Sequence, residues 1–266
     1  MNRKFFSIIT VVLNAKDDLD QTIKSLRKQN FTNFEYIVID GGSTDGTLEV
    51  ISDNLDIINK WKSEKDFGIY DAMNKGIKLC EGHYLGMLNA GDKYTPEGLN
   101  VIHKYLNSSN YDFIFGTVMK KILKYGFRKH RILWNFDFST SHSSGFFIKN
   151  EVQKKIGNYD LKFKISSDFD LFYRMIVTHK MRGIATKPEE LVGIFKSGSS
   201  YSSKFSFYEH LKEETSIRIN NKQNIFFIFI IYLVHFYKNR NFIENKNKVK
   251  FFFSSFFNII RNSKGN

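Results

Sequence analysis

"SIITVVLNAKDDLDQTIKSLRKQNFTNFEYIVIDGGSTDGT" (residues 7–47) changes period three times, and those changes set the fold. "SIITVVL" (7–13) is a short β-branched run of the kind found in a strand buried on both faces. "DLDQTIKSLRKQ" (18–29) carries Leu19, Ile23 and Leu26 at helical spacing. "FEYIVID" (34–40) is a second strand, and Thr/Asp capping signals then open a helix over 44–55. Further on, "IYDAMNKGIKLCEG" (69–82) predicts a helix with Gly82 as its C-cap, and "HYLGMLN" (83–89) predicts a third strand. Strands alternating with helices specify a mainly parallel sheet flanked by helices, an α/β fold.

In such sheets ligands bind beyond the carboxyl ends of the strands. Those ends are Asn14, Asp40 with its "DGGSTDGT" loop, and "NAGD" (89–92). The Asp40 loop lacks both the dinucleotide fingerprint and the Walker pattern. It offers an acid, two glycines and a capped helix, and taken alone it would be an ordinary turn. Asp92 has the same plain reading, since Asn, Gly and Asp are common turn formers. A carboxylate at a strand end is also what a divalent cation on a diphosphate requires. Several acid loops at successive strand ends favour the second reading.

Composition narrows the rest. The chain has 266 residues, and its 42% hydrophobic content is enough for a core. The single Cys80 excludes an internal disulfide framework and is expected to be a buried, inert thiol. Seven histidines without a tight paired spacing argue against a histidine metal cage. Arg3 and Lys4 before an apolar run imitate a signal peptide, but Asp17, Asp18 and Asp20 follow with no small-residue cleavage site. The net charge of +13 is uneven: residues 1–100 hold 12 bases against 15 acids, so the excess lies beyond them. That asymmetry suggests a polyanionic surface. The tail decides which one: "NIFFIFIIYLVHFY" (224–237) and "VKFFFSSFFNIIR" (249–261) are apolar and flanked by Lys and Arg. Each is short of the roughly 20 residues that a spanning helix needs. An interfacial membrane helix fits them better than a packed hairpin, and nucleic acid is not an expected partner.

The middle of the chain is harder to read. "YDFIFGTVMKKIL" and "YGFRKHRILWNF" suggest two antiparallel strands, "HSSGFFIKN" another, and "SSDFDLFYRMIVTHK" (166–180) a helix.

Together these stretches resemble the inverting glycosyltransferases of family 2, with the GT-A fold, and most of all the branch found in bacterial capsule, colanic-acid and O-antigen clusters. The resemblance runs from the opening stretch through "DFGIYDAMNKGI", "GHYLGMLNAGD", "HSSGFFIKN" and "GNYDLKFKISSDFDLFYRM" to "GIFKSGSSYSS", or about residues 5 to 203. It implies a GT-A domain over 1–203; the tail over 204–266 lies outside the resemblance and is expected from its composition to be a basic, aromatic helical extension. The resemblance also implies that Asn14, Asp40, Asp66, Asp71, Asn74 and Gly91 bind the nucleotide-sugar donor, favoured as a UDP-sugar. Asp92 would hold Mn²⁺ or Mg²⁺ on the diphosphate, and Asp168 would be the general base. His142 and the "SGSS" loop (197–200) would line the acceptor side or the phosphates. The implied acceptor is a saccharide, lipid-linked, and the implied place is the cytoplasmic face of a bacterial cell membrane. The pattern departs in three places: Asp40-Gly41 replaces an acid pair, "NAGD" keeps one carboxylate, and Ser167 stands where many relatives have glutamate. Two other readings stay open, a sugar transferase acting on a polyprenyl phosphate and a non-catalytic sugar-nucleotide-binding subunit.

Overall fold

The structure, a computed structural model, describes residues 3–134, 143–196, 205–238 and 248–264. β1 (Phe6–Val12) is an interior strand of its main sheet, parallel to β2 (Phe34–Asp40) on one side. Beyond β2 lies β3 (Lys60–Ser63), also parallel. On the other side of β1 lies β4 (Tyr84–Met87), again parallel. The sheet continues from β4 through an antiparallel strand, Phe146–Lys149, to the parallel pair Phe113–Phe115 and Gly183–Ala185. This makes a seven-stranded, mainly parallel sheet flanked by helices.

Alternate residues of the central strands serve two core layers, as the period of a strand requires. Ile9, Val11, Ile37 and Ile39 face one layer with Tyr70, Ala72, Met73 and Ile77 of the helix Ile69–Leu79. Ile8, Val12, Tyr36 and Val38 face the other, against Leu19, Ile23 and Leu26 of the helix Lys16–Arg27. The predicted helix face is therefore the buried one.

β3 was not anticipated from the sequence. "KWKS" is a charged, half-exposed edge strand, and lysines suit an edge that must not pair further. Its Lys60 reaches Glu35 of β2 at 3.0 Å. Glu35 is buried, yet its carboxyl is held below the usual range. Its desolvation is outweighed by the Ser7 hydroxyl, the Glu81 N–H and the Lys60 ammonium.

Three sequence expectations need correction. Gly82 does not cap the helix, which stops at Leu79. It lies beside β1 instead, where a Cβ would come within 2.7 Å of the Phe6–Ser7 backbone. "YGFRKHRILWNF" is not a strand: Arg131–Trp134 form a helical turn, and residues 135–136 lie outside the described residues. The strand Phe113–Phe115 already has both neighbours, so no partner remains for another strand there. The predicted helix at 166–180 is α-helical only over Ser167–Tyr173 and continues as a π-helical turn, Arg174–Thr178. Cys80 is buried as expected, its thiol pushed up to about 12 by that burial.

The extension forms three helices, Phe207–Asn220, Ile225–Lys238 and Lys248–Lys264. The first opens on a capping box between Ser206 and Glu209. Tyr232, Phe236, Phe252 and Phe256 build a separate small core, whereas Ile217 belongs to the main one. Among the described residues, no helix is long and apolar enough to cross a membrane.

Candidate active site

Because β1 to β4 run parallel, the segments that follow them meet at one edge of the sheet. Asn14 follows β1 with a left-handed φ of 48°, and its side-chain carbonyl accepts the Thr44 N–H at 2.8 Å. That bond ties the end of β1 to the glycine loop after β2. Asp40 is fully buried, and its carboxylate accepts from the Gly42 and Ser43 N–H groups and from the Ser43 and Ser63 hydroxyls. Three of these bonds fall on Oδ2 and one on Oδ1, so Asp40 sets the shape of the loop. Asp66 packs over Gly41, where a Cβ would collide with its carboxylate, and it accepts the Gly68 N–H at 3.0 Å. Asp71 accepts the Phe67 N–H at 3.1 Å and pairs with Lys75 at 3.0 Å. Asn74 is buried and closes a two-bond ring with the backbone of Tyr159, each bond 2.9 Å. In its own structure the chain thus uses Asn74 to join a helix to the 157–160 segment.

A second group gathers around "NAGD". Gly91 has a φ of +94°, a conformation that favours glycine, and a Cβ there would also meet Lys196. Asp92 leads directly into the short strand Lys93–Tyr94, which pairs antiparallel with Leu191–Ile194. This register carries the chain after Ile194 back past Asp92. The Lys196 N–H therefore donates to Asp92 Oδ1 at 2.8 Å, and the Lys196 ammonium grips Asp18 at 2.6 Å. Asp92 is 3% exposed, and burial pushes its carboxyl up to about 6, against weaker lowering by the Ser143 hydroxyl, the Lys196 N–H and Lys120.

Asp92 Oδ2 and Asn89 Oδ1 are both buried without a hydrogen-bond partner. Two orphaned oxygens in one loop are unusual in a folded protein, where buried polar atoms are paired. They suit a hard cation that takes oxygen ligands. No group of three or more His, Cys, Asp or Glu side chains converges among the described residues. A cation here would therefore depend on substrate oxygens for much of its shell.

Asp168 lies in the first turn of its helix, half-buried. Its Oδ1 accepts the Phe169 N–H at 2.9 Å and stands 3.1 Å from the Tyr70 hydroxyl. Burial, reinforced by the Asp168 charge, raises the Tyr70 phenol well above its usual range, so the hydroxyl keeps its proton. A small cleft lined by Phe67, Tyr70, Asp71, Leu161 and Lys164 opens beside Tyr70. His142 and the "SGSS" loop lie outside the described residues. Asp18, Tyr70 and Lys196 were given no site role from the sequence, and Asn89 entered only as part of "NAGD". Asp18 served in the sequence only as evidence against a signal peptide, and only the tertiary structure brings it to Lys196 and Asp92.

The mainly parallel sheet flanked by helices, with acids along its carboxyl edge, has the architecture of the GT-A fold. The chain belongs to glycosyl transferase family 2, whose sequence profile matches residues 7–172. It is 32% identical over 181 residues to an uncharacterized glycosyltransferase of Mycobacterium tuberculosis, covering 63% of this chain and 67% of that one. It is 29% identical over 211 residues to a PGL/p-HBAD biosynthesis glycosyltransferase of Mycobacterium bovis, covering 73% of this chain and 80% of that one. Among solved structures, S. aureus TarS 1-349 in complex with UDP-GlcNAc superposes with a TM-score of 0.69 at 16% identity, over 97% of this chain and 80% of that one. The mannosyltransferase PcManGT of Pyrobaculum calidifontis, with GDP-Man and Mn²⁺, superposes at 0.58 and 12% identity, over 84% of this chain and 66% of that one.

Proposed function

We propose that this glycosyltransferase moves a sugar with inversion from a nucleotide-sugar donor, favoured as a UDP-sugar, to a hydroxyl of a lipid-linked saccharide in surface polysaccharide biosynthesis. The observation that carries the donor half is the orphaned, buried Asp92 oxygen at the strand edge. Asn14, Asp40 and Asp66 shape the pocket for the nucleoside, Asp71 and Asn74 brace its helix, and Gly91 leaves room for the diphosphate. Asp92 would hold Mn²⁺ or Mg²⁺, with Asn89 beside it. The bound cation would supply charge stabilisation for the departing diphosphate. Asp168 takes the proton of the acceptor hydroxyl as the new glycosidic bond forms. Tyr70 orients that carboxylate, and the cleft beside it receives the acceptor, with His142 on the same side. UDP and UDP-GlcNAc in TarS support a UDP donor, and GDP-Man with Mn²⁺ in PcManGT supports the cation. The relatives in PGL/p-HBAD biosynthesis support a glycolipid-type acceptor.

Anomeric NMR of the product tests the displacement. An α-linked donor should yield a β-linked product, and retention of configuration would contradict a single displacement at the anomeric carbon with Asp168 as base.

The same proposal assigns the extension to the cytoplasmic face of a bacterial membrane, held peripherally. Phe226, Leu233, Tyr237, Phe253 and Phe257 remain exposed on two helices that carry Lys238, Lys250 and Arg261. Exposed aromatics beside bases are suited to an anionic interface. The full chain should co-sediment with vesicles rich in phosphatidylglycerol and not with phosphatidylcholine alone. Equal partition to both, or to neither, would sink this assignment.

A further inference from the structure

The helix Phe207–Asn220 belongs to the extension, yet it touches the segment that carries Asp168 along its length. Glu213, Ile217 and Asn221 recur at four-residue intervals with Arg218 alongside, so they share one face. The Glu213 carboxylate accepts three consecutive backbone N–H groups, those of Lys164, Ile165 and Ser166, each at 2.9 Å. Arg218 is buried, with its guanidinium 5.0 Å from the Phe169 ring, and donates to the Leu133 carbonyl at 3.0 Å. Asn221 donates to Asp170 Oδ1 at 3.2 Å, while Asp170 Oδ2 accepts from Arg174 at 2.8 Å.

We infer that Glu213 is a positioning residue for the transfer, acting on Asp168 through Ile165 and Tyr70. The route is continuous. Glu213 fixes the Ile165 N–H, and the Ile165 carbonyl lies 2.8 Å from the Tyr70 hydroxyl, which itself meets Asp168 Oδ1. Ser166, the residue before the Asp168 helix, makes no side-chain cap to that helix, so the loop takes its order from Glu213. Bonds from N–H groups to an ionised carboxylate are about twice as strong as neutral ones. Without them the 164–166 backbone loses its only acceptor side chain among the described residues. Tyr70 would then share a mobile carbonyl, and Asp168 would sample orientations away from the acceptor hydroxyl. A displacement of about 1 Å at a reacting group lowers a rate up to roughly 100-fold.

This inference rests on Asp168 being the base, and a double-mutant cycle separates the two. Nucleotide release by the full chain would be measured on the UDP- and GDP-sugar panel with Mn²⁺, for Glu213→Ala, Glu213→Gln, Asp168→Asn and the double variants. Glu213→Ala should lower kcat about 10- to 100-fold with the donor KM within about twofold, and Glu213→Gln, which keeps one acceptor oxygen, should lower it less. In the Asp168→Asn background, either Glu213 change should have no further effect, because residues acting as a unit are not additive. An unchanged kcat in Glu213→Ala, or an equal loss in both backgrounds, would overturn the positioning role. If Glu213→Ala loses donor binding through misfolding, the Glu213→Gln cycle decides by the same criterion. Full activity in Asp168→Asn would instead remove the base itself.

Discussion

Asp168→Asn loses turnover by roughly 10²- to 10⁴-fold, the range expected when a general base is removed, and keeps its affinity for the nucleotide sugar. The substitution preserves size and keeps an oxygen for the Phe169 N–H and the Tyr70 hydroxyl, so the local hydrogen bonds survive. What is lost is the ability to accept the acceptor's proton. The loss should therefore fall on kcat, with donor binding by calorimetry unchanged. A variant that transfers sugar at the parent rate would remove Asp168 from the chemistry. A variant that no longer binds donor would make it a binding residue instead.

Asp92→Asn separates function from stability in opposite directions. The Asp92 carboxyl rises to about 6 in the folded chain because it is buried, with Oδ2 unpartnered. A carboxyl raised above its unfolded value binds its proton more tightly in the native state. The native chain without metal is therefore favoured by protonation at low pH and loses that advantage as pH rises through about 4 to 6. Above that window the buried charge weighs on the fold by an amount on the order of 1–3 kcal/mol. Without metal, Asp92→Asn should melt higher than the parent at pH 7.5, and the gap should narrow as pH falls through about 6 to 4 and close below that. With Mn²⁺ and UDP the parent should gain melting temperature by mass action, and the variant should not. Equal stabilisation of both proteins by Mn²⁺ and UDP would place the cation elsewhere. This pattern is the usual trade in which a site built for a ligand is strained without it.

The central sheet was legible because its strands are short apolar runs separated by helices of clear period. β1, β2 and the Leu19–Ile23–Leu26 face all follow from residues 7–47 alone. The strand-end rule also pointed to Asn14, Asp40 and Asp92, which lie at or beyond the carboxyl ends of parallel strands, whereas Asp66 follows the unanticipated β3. Local pattern could not show how each residue is used. Asp40 and Asn74 have the residue types of ligand contacts, yet their polar atoms are engaged within the protein. Lys196 reaches Asp92 only through the pairing of Lys93–Tyr94 with Leu191–Ile194, about 100 residues apart in sequence. "YGFRKHRILWNF" misled because β-branched and aromatic residues mark a strand only where a partner edge is free. Glu213 carries no local signal of its role, because its three N–H partners lie nearly 50 residues upstream.

The most direct test is nucleotide release from UDP- and GDP-sugars by the parent chain and by Asp92→Ala, with Mn²⁺, with Mg²⁺ and with chelator. The account predicts release from at least one donor that requires the divalent ion and disappears in Asp92→Ala. Failure of every donor, together with no metal-dependent nucleotide binding, would contradict the transferase reading of this site. Turnover that survives the loss of Asp92 would leave the enzyme standing and overturn its metal centre.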